Sequence, residues 1–232
     1  MSSESAYNKR LAPETAMDKV EGLLEHFNLP PKVITFIRGN KRILQVILLI
    51  IIVAVVTWSL YGSYIERIKE ESATALSLAI KNDPVNQQAA LSAVIEEYGS
   101  TSSAMWAKVE LAHLDMKGGS FDKAANQYDE LLKQVKITSP LYPLVVFGKA
   151  QALEALKSYN DATVQYDVLK EIKGYEHLAY VGKGRIQEAQ GNPDKAIAIY
   201  NNFLLAVGDD PTFSQAKGEI DAKIARLKAV SK

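Results

Sequence analysis

Chemistry needs nucleophiles, metal ligands or paired acids within reach of one another, and this chain supplies few. Its three histidines, His26, His113 and His177, lie far apart in the sequence. His113 and Asp115 are two residues apart, so on a helix they diverge and cannot share a metal or a proton. Cysteine is absent, which removes disulfides, thiol nucleophiles and cysteine-bound metals. The acidic spots Glu70-Glu71, Glu96-Glu97 and Asp209-Asp210 have the character of solvated helix ends and faces. Gly118-Gly119 and the GKGR of Gly182–Arg185 lack the strand context and length of a phosphate-cradling loop. No catalytic residue, cofactor or metal site is assigned, and the chain reads as a non-enzyme.

Charge excludes a further class. The chain carries 27 basic and 27 acidic residues. By segment, residues 1–42 come to +2 and residues 66–232 to −2, so nothing resembles the basic surface that nucleic-acid phosphates require. What remains is binding to proteins or to a membrane.

The elements that would position such a binding surface divide the chain in three. Ile43–Tyr61 (ILQVILLIIIVAVVTWSLY) contains no charge and one strongly polar residue, Gln45. At about 1.5 Å per residue it spans roughly 28 Å, the thickness of a bilayer's hydrocarbon. Its length, its position and the bulky Leu60-Tyr61 after it argue against a cleaved signal peptide. Trp58, Tyr61 and Tyr64 suit a lipid–water interface. Lys32, Arg38, Lys41 and Arg42 precede the span, whereas only Arg67 and Lys69 follow it closely, mixed with Glu66, Glu70 and Glu71. That bias predicts residues 1–42 in the cytoplasm and residues 66–232 on the far side. Within the tail, Pro13 to Phe27 has helical spacing, Leu29-Pro30-Pro31 stops it, and Lys32–Arg38 forms an amphipathic segment or a linker.

Beyond the span the sequence repeats itself. ELAHLDMKGGSFDKAANQYDELL from Glu110, GKAQALEALKSYNDATVQYDVLK from Gly148 and GKGRIQEAQGNPDKAIAIYNNFL from Gly182 align without gaps. Each places a small residue (Ala112, Ala150, Gly184) twelve positions before an alanine (Ala124, Ala162, Ala196), with a tyrosine (Tyr128, Tyr166, Tyr200) four positions later. The alanines are 38 and 34 residues apart, and Ala90 marks a fainter unit 34 residues before the first. This resembles the tetratricopeptide repeat, a helix–turn–helix unit of about 34 residues. The resemblance implies an all-α domain: a single transmembrane helix followed by a tetratricopeptide-like solenoid over 66–232. The small residues would let paired helices approach, the tyrosine would fill the hole towards the next repeat, and Gly118-Gly119, Lys157-Ser158 and Gly191-Asn192 would make the turns. Lys149, Lys183 and Asp115 depart from the pattern. Thr212 would cap a last helix carrying Phe213, Ala216, Ile220, Ile224 and Leu227.

Such stacks present a surface made by the first helix of each unit. By the alignment, its candidate partner-binding residues are Val109, His113 and Met116, then Phe147, Gln151 and Glu154, then Val181, Arg185 and Glu188. The whole plan is a short tail, one span and a repeat domain. With the RGNKR–ILQVILLIIIVAVVTWSLYGSY junction and repeat text such as GNPDKAIAIY, it resembles the YfgM-type ancillary subunits of the bacterial Sec translocon. That resemblance implies an inner-membrane protein with periplasmic repeats, associated with translocon subunits, a membrane-anchored periplasmic chaperone and secreted client polypeptides. Two other readings stay open: a self-associating envelope scaffold, and a receptor signalling through its tail.

Overall fold

The computed structural model describes residues 31–230; the expected helix at 13–27 lies outside them. The chain divides into two units, Met1–Ile65 and Glu66–Lys232. Within the described residues every regular element is helical.

In the first unit, α1 (Pro31–Gly39) is followed by the opening part of α2 (Lys41–Lys81). Asn40 joins them. Its backbone N–H and its side-chain amide each donate to the Phe36 carbonyl at 3.0 Å, while its own carbonyl accepts from Leu44 N–H at 3.0 Å. From Ile43 to Tyr61 almost every side chain is exposed, with Trp58 at 83%. α2 is long and apolar enough to cross a membrane. The Thr57 hydroxyl donates to the carbonyl of Val53 in its own helix at 2.8 Å, so its donor proton is already satisfied within the span.

The second unit is a stack of helical hairpins. The end of α2 pairs with α3 (Pro84–Glu97), α4 (Ser102–Lys117) with α5 (Phe121–Gln134), α6 (Tyr142–Ala155) with α7 (Tyr159–Lys170), and α8 (Glu176–Ala189) with α9 (Pro193–Val207). The start signals are local. Asp83 accepts from Val85 N–H and Asn86 N–H at 3.1 and 3.3 Å, and the Thr101 hydroxyl accepts from Ala104 N–H at 3.2 Å. The three hairpin turns repeat one backbone device, with φ of +75° at Gly119, +61° at Lys157 and +73° at Gly191. Lys157 is the one non-glycine residue with positive φ among the described residues, in a conformation disfavoured for a side chain with a Cβ.

Packing follows the small residues. Ala112, Ala124, Ala150, Ala162 and Ala196 are fully buried where helices cross. The tyrosines seat against glycines. A Cβ added at Gly148 would overlap the Tyr128 ring, one at Gly182 the Tyr166 ring, and one at Gly184 the Tyr200 ring. Gly148 and Gly182 belong to the first helix of the following hairpin, so the absence of a side chain there is what lets the tyrosine bridge two repeats. Leu169, Ile186 and Phe203 complete the buried clusters.

The residues that depart from the repeat pattern turn out to be paired. Lys149 Nζ lies 2.6 Å from an Asp129 oxygen, and Lys183 Nζ lies 2.5 Å from Asp167. Each strap runs from the second helix of one hairpin to the first helix of the next. The Lys149 hydrogen bond, helped by Lys133, holds the Asp129 carboxyl below the usual carboxylate range. Asp115 bonds Lys123 across its own hairpin at 3.0 Å.

The closing element differs from expectation. A 3₁₀ turn, Pro211–Phe213, precedes α10 (Ser214–Val230). Asp210, not Thr212, is the capping side chain: it accepts from Thr212 N–H at 2.8 Å and from the Thr212 hydroxyl at 2.7 Å. A carboxylate reaches back to the orphan N–H more readily than a residue already inside the turn. Ile220 and Ile224 then cover Tyr200 and Phe203, with Phe213, Ala216 and Leu227 packed beside them.

Candidate functional site

The first helices α4, α6 and α8 run side by side, α6 touching both neighbours. Across that face runs a repeated polar arrangement that spacing alone did not reveal. The Glu154 carboxylate accepts from the Tyr166 hydroxyl at 2.7 Å and from Arg185 Nη2 at 2.7 Å, with Arg185 Nε on its other oxygen. Arg185 Nη2 also donates to the Tyr166 oxygen at 3.0 Å. One repeat later, Glu188 accepts from the Tyr200 hydroxyl at 2.6 Å and from Arg226 of α10. Each glutamate thus ties its own hairpin to the next element. Burial foremost, then the glutamate, pushes the Tyr166 and Tyr200 phenols well above their ordinary range, and the bond to Glu154 raises the Arg185 guanidinium further.

The first clear repeat lacks this lock. Met116 stands where Glu154 and Glu188 stand, and Gln151 where Arg185 stands. The Tyr128 hydroxyl is buried without a hydrogen-bond partner among the described residues, and burial pushes its ionisation to higher pH. Here the face opens into a cleft of about 310 Å³ lined by Met116, Gln151, Glu154, Ala155, Tyr159, Arg185 and Ala189.

Four of the nine sequence-predicted residues, Met116, Gln151, Glu154 and Arg185, therefore line one cleft. Glu188 lies further along the face, held by Tyr200 and Arg226. His113 is exposed and sets its ring edge against Tyr128, with centroids 6.2 Å apart. Phe147 is half-buried against Tyr166. Val109 and Val181 do not reach the surface. They are 1% and 8% exposed and belong to the core, because their position on the first helix points at its hairpin mate. Arg185 is likewise not a free recognition group: it is ion-paired, so reversing its charge would set two carboxylates against each other. Among the described residues no group of three histidine, aspartate or glutamate side chains could hold a metal.

A second, larger cleft of about 650 Å³ lies between α4 and α5 over Leu111 and Leu131. It lies apart from the first-helix face that the repeat pattern predicts. The available signal was Leu111, which stands where the later repeats carry the strap lysines Lys149 and Lys183.

The family pattern described as "Tetratricopeptide repeat-like domain" matches residues 35–228. No curated protein matches the chain. Among solved structures, a tetratricopeptide repeat protein from Parabacteroides merdae ATCC 43184 is 16% identical, with a TM-score of 0.50 over 71% of this chain. The present chain spans 60% of that protein's length. Nearly identical TPR-like repeats of a putative kinesin light chain from Podosopora anserina are 14% identical, with a TM-score of 0.54 over 71% of this chain and 87% of theirs. At these identities the likeness is one of fold.

Proposed function

This chain belongs to the tetratricopeptide repeat-like domain family, and on that premise we propose that it is a membrane-anchored protein-interaction module. The observation carrying the reading is the cleft across α4, α6 and α8. There, Met116, Ala155, Tyr159 and Ala189 offer apolar area beside Gln151, which the repeat-to-repeat locks leave uncommitted. A partner segment placing one apolar side chain over these residues gains ~1.5–3 kcal/mol, and the Glu154–Arg185 pair beside them supplies a neutral, directional polar edge.

The anchor is the apolar run Ile43–Tyr61, which is long enough to span and exposed almost all round. With the basic flank inside, the repeats lie in the bacterial periplasm and the tail in the cytoplasm. The plan and the junction sequence support a finer reading: an ancillary subunit of the Sec translocon, working with a membrane-anchored periplasmic chaperone on emerging polypeptides.

Crosslinking in intact membranes, with mass-spectrometric identification, tests this. Met116→Ala with Ala155→Arg empties one side of the cleft and fills the other while leaving the locks and crossings untouched. It should lose translocon or chaperone partners by roughly tenfold or more, the factor expected for ~1.4 kcal/mol. Retention of every partner by this folded variant would move binding to another face, and self-crosslinks alone would favour a scaffold. Protease added to spheroplasts should degrade residues 66–232; their protection would overturn the orientation.

A further inference from the structure

The two flanks of the apolar run differ in how their charges are satisfied. On the C-terminal side they are neutralised within the helix: Arg67 Nε sits 2.8 Å from Glu71, and Lys69 Nζ 3.4 Å from Glu66. On the N-terminal side stand Lys32, Arg38, Lys41 and Arg42, and the sequence holds no acid from Pro31 to Ile65. Lys32, Lys41 and Arg42 are exposed. No residue of 31–65 can supply their counter-ions.

The same segment carries apolar surface. Phe36 is 61% and Val33 39% exposed, and with Ile37 they fall at i, i+3 and i+4 on one side of α1. Lys32 stands one turn before Phe36 and so borders this stripe by the same helical spacing. Cations bordering an apolar stripe and following it, directly before a run fit to cross a bilayer, match a surface of anionic headgroups over hydrocarbon. We propose that residues 31–42 bind anionic phospholipid headgroups, phosphatidylglycerol serving as the probe, so that the protein gathers acidic lipid around the entry of its span. This rests on the membrane reading above.

The chain has no cysteine, so one can be introduced as a unique label. Gly39→Cys is suitable because an added Cβ there meets nothing within 4 Å. The full chain, carrying a fluorophore at that position, would be reconstituted into vesicles containing nitroxide-labelled phosphatidylglycerol or nitroxide-labelled phosphatidylcholine at equal mole fraction. Phosphatidylglycerol should quench more strongly. The preference should vanish in 1 M salt, where screening acts within about 3 Å. It should also fall roughly fivefold for each charge removed in the series Lys32→Gln, Lys41→Gln and Arg42→Gln. Equal quenching by both lipids in a chain that resists alkaline carbonate extraction overturns the proposal alone. Release of the chain into the carbonate wash overturns the span and this proposal together. The salt measurement needs no charge variant, so a change of topology in the triple replacement leaves the test intact.

Discussion

At the scale of single residues, the decisive contacts are those between tyrosine rings and glycines. A methyl at Gly182 would occupy the space of the Tyr166 ring, whereas a methyl at Gly218 in α10 meets nothing within 4 Å. Gly182→Ala should therefore destabilise the fragment 66–232 by ~1–3 kcal/mol through overpacking. Gly218→Ala should stabilise it by ~0.5–1 kcal/mol through backbone entropy. At ~2–4 °C per kcal/mol, differential scanning calorimetry should show the two midpoints moving in opposite directions. Shifts of the same sign would mean that the tyrosine seat is not as described. The tyrosines also set the alkaline limit. Burial holds Tyr128, Tyr166 and Tyr200 neutral above the range in which unfolded tyrosine ionises, near pH 10. Their contribution is complete below about pH 10 and is lost as pH rises beyond it, because only the unfolded chain can then release those protons. Of the 11 tyrosines, these three should ionise together with the loss of helical circular dichroism. Full tyrosinate absorbance from a chain still helical would contradict that.

At the scale of elements, stability is concentrated at the joints between hairpins. The joint from α6 and α7 to α8 combines the Tyr166–Gly182 seat, the Asp167–Lys183 strap and the Glu154–Tyr166–Arg185 lock. Glu154 is only 13% exposed, so deleting its carboxylate strands a phenol and a guanidinium. Glu154→Ala should cost ~1–3 kcal/mol. A double-mutant cycle with Arg185→Ala in urea should give a coupling of at least ~0.5 kcal/mol. Strict additivity would demote the lock to a surface pair of no consequence. These joints also explain what was hidden in the sequence. Glu154 and Arg185 are 31 residues apart, on helices whose adjacency is a property of the stack. The straps span 20 residues in one joint and 16 in the next, because α5 runs further past Asp129 than α7 does past Asp167 and the connection after it is also longer, so no constant spacing advertised them.

At the scale of the whole molecule, the periodic part of the design was legible and the directional part was not. Alanine, tyrosine and turn positions announced a helical-hairpin stack, since each is dictated by local geometry that recurs with the repeat. The lining of the cleft was half legible. Met116, Gln151, Glu154 and Arg185 lie where a first-helix face was expected. Val109 and Val181 failed because a helix buries two stripes here, one towards its mate and one towards the next hairpin, and apolar character alone does not separate them. The joints have a last consequence, for how such a chain can lengthen. Gly148 with Lys149 and Gly182 with Lys183 open successive segments 34 residues apart, and Tyr166 with Asp167 sits between them. A tandem copy of residues 148–181 would meet its neighbours through the same tyrosine-on-glycine seat and the same ammonium–carboxylate strap. The gene can thus be extended by duplication in 34-residue steps without inventing a new interface, and the reach of the domain becomes a matter of copy number.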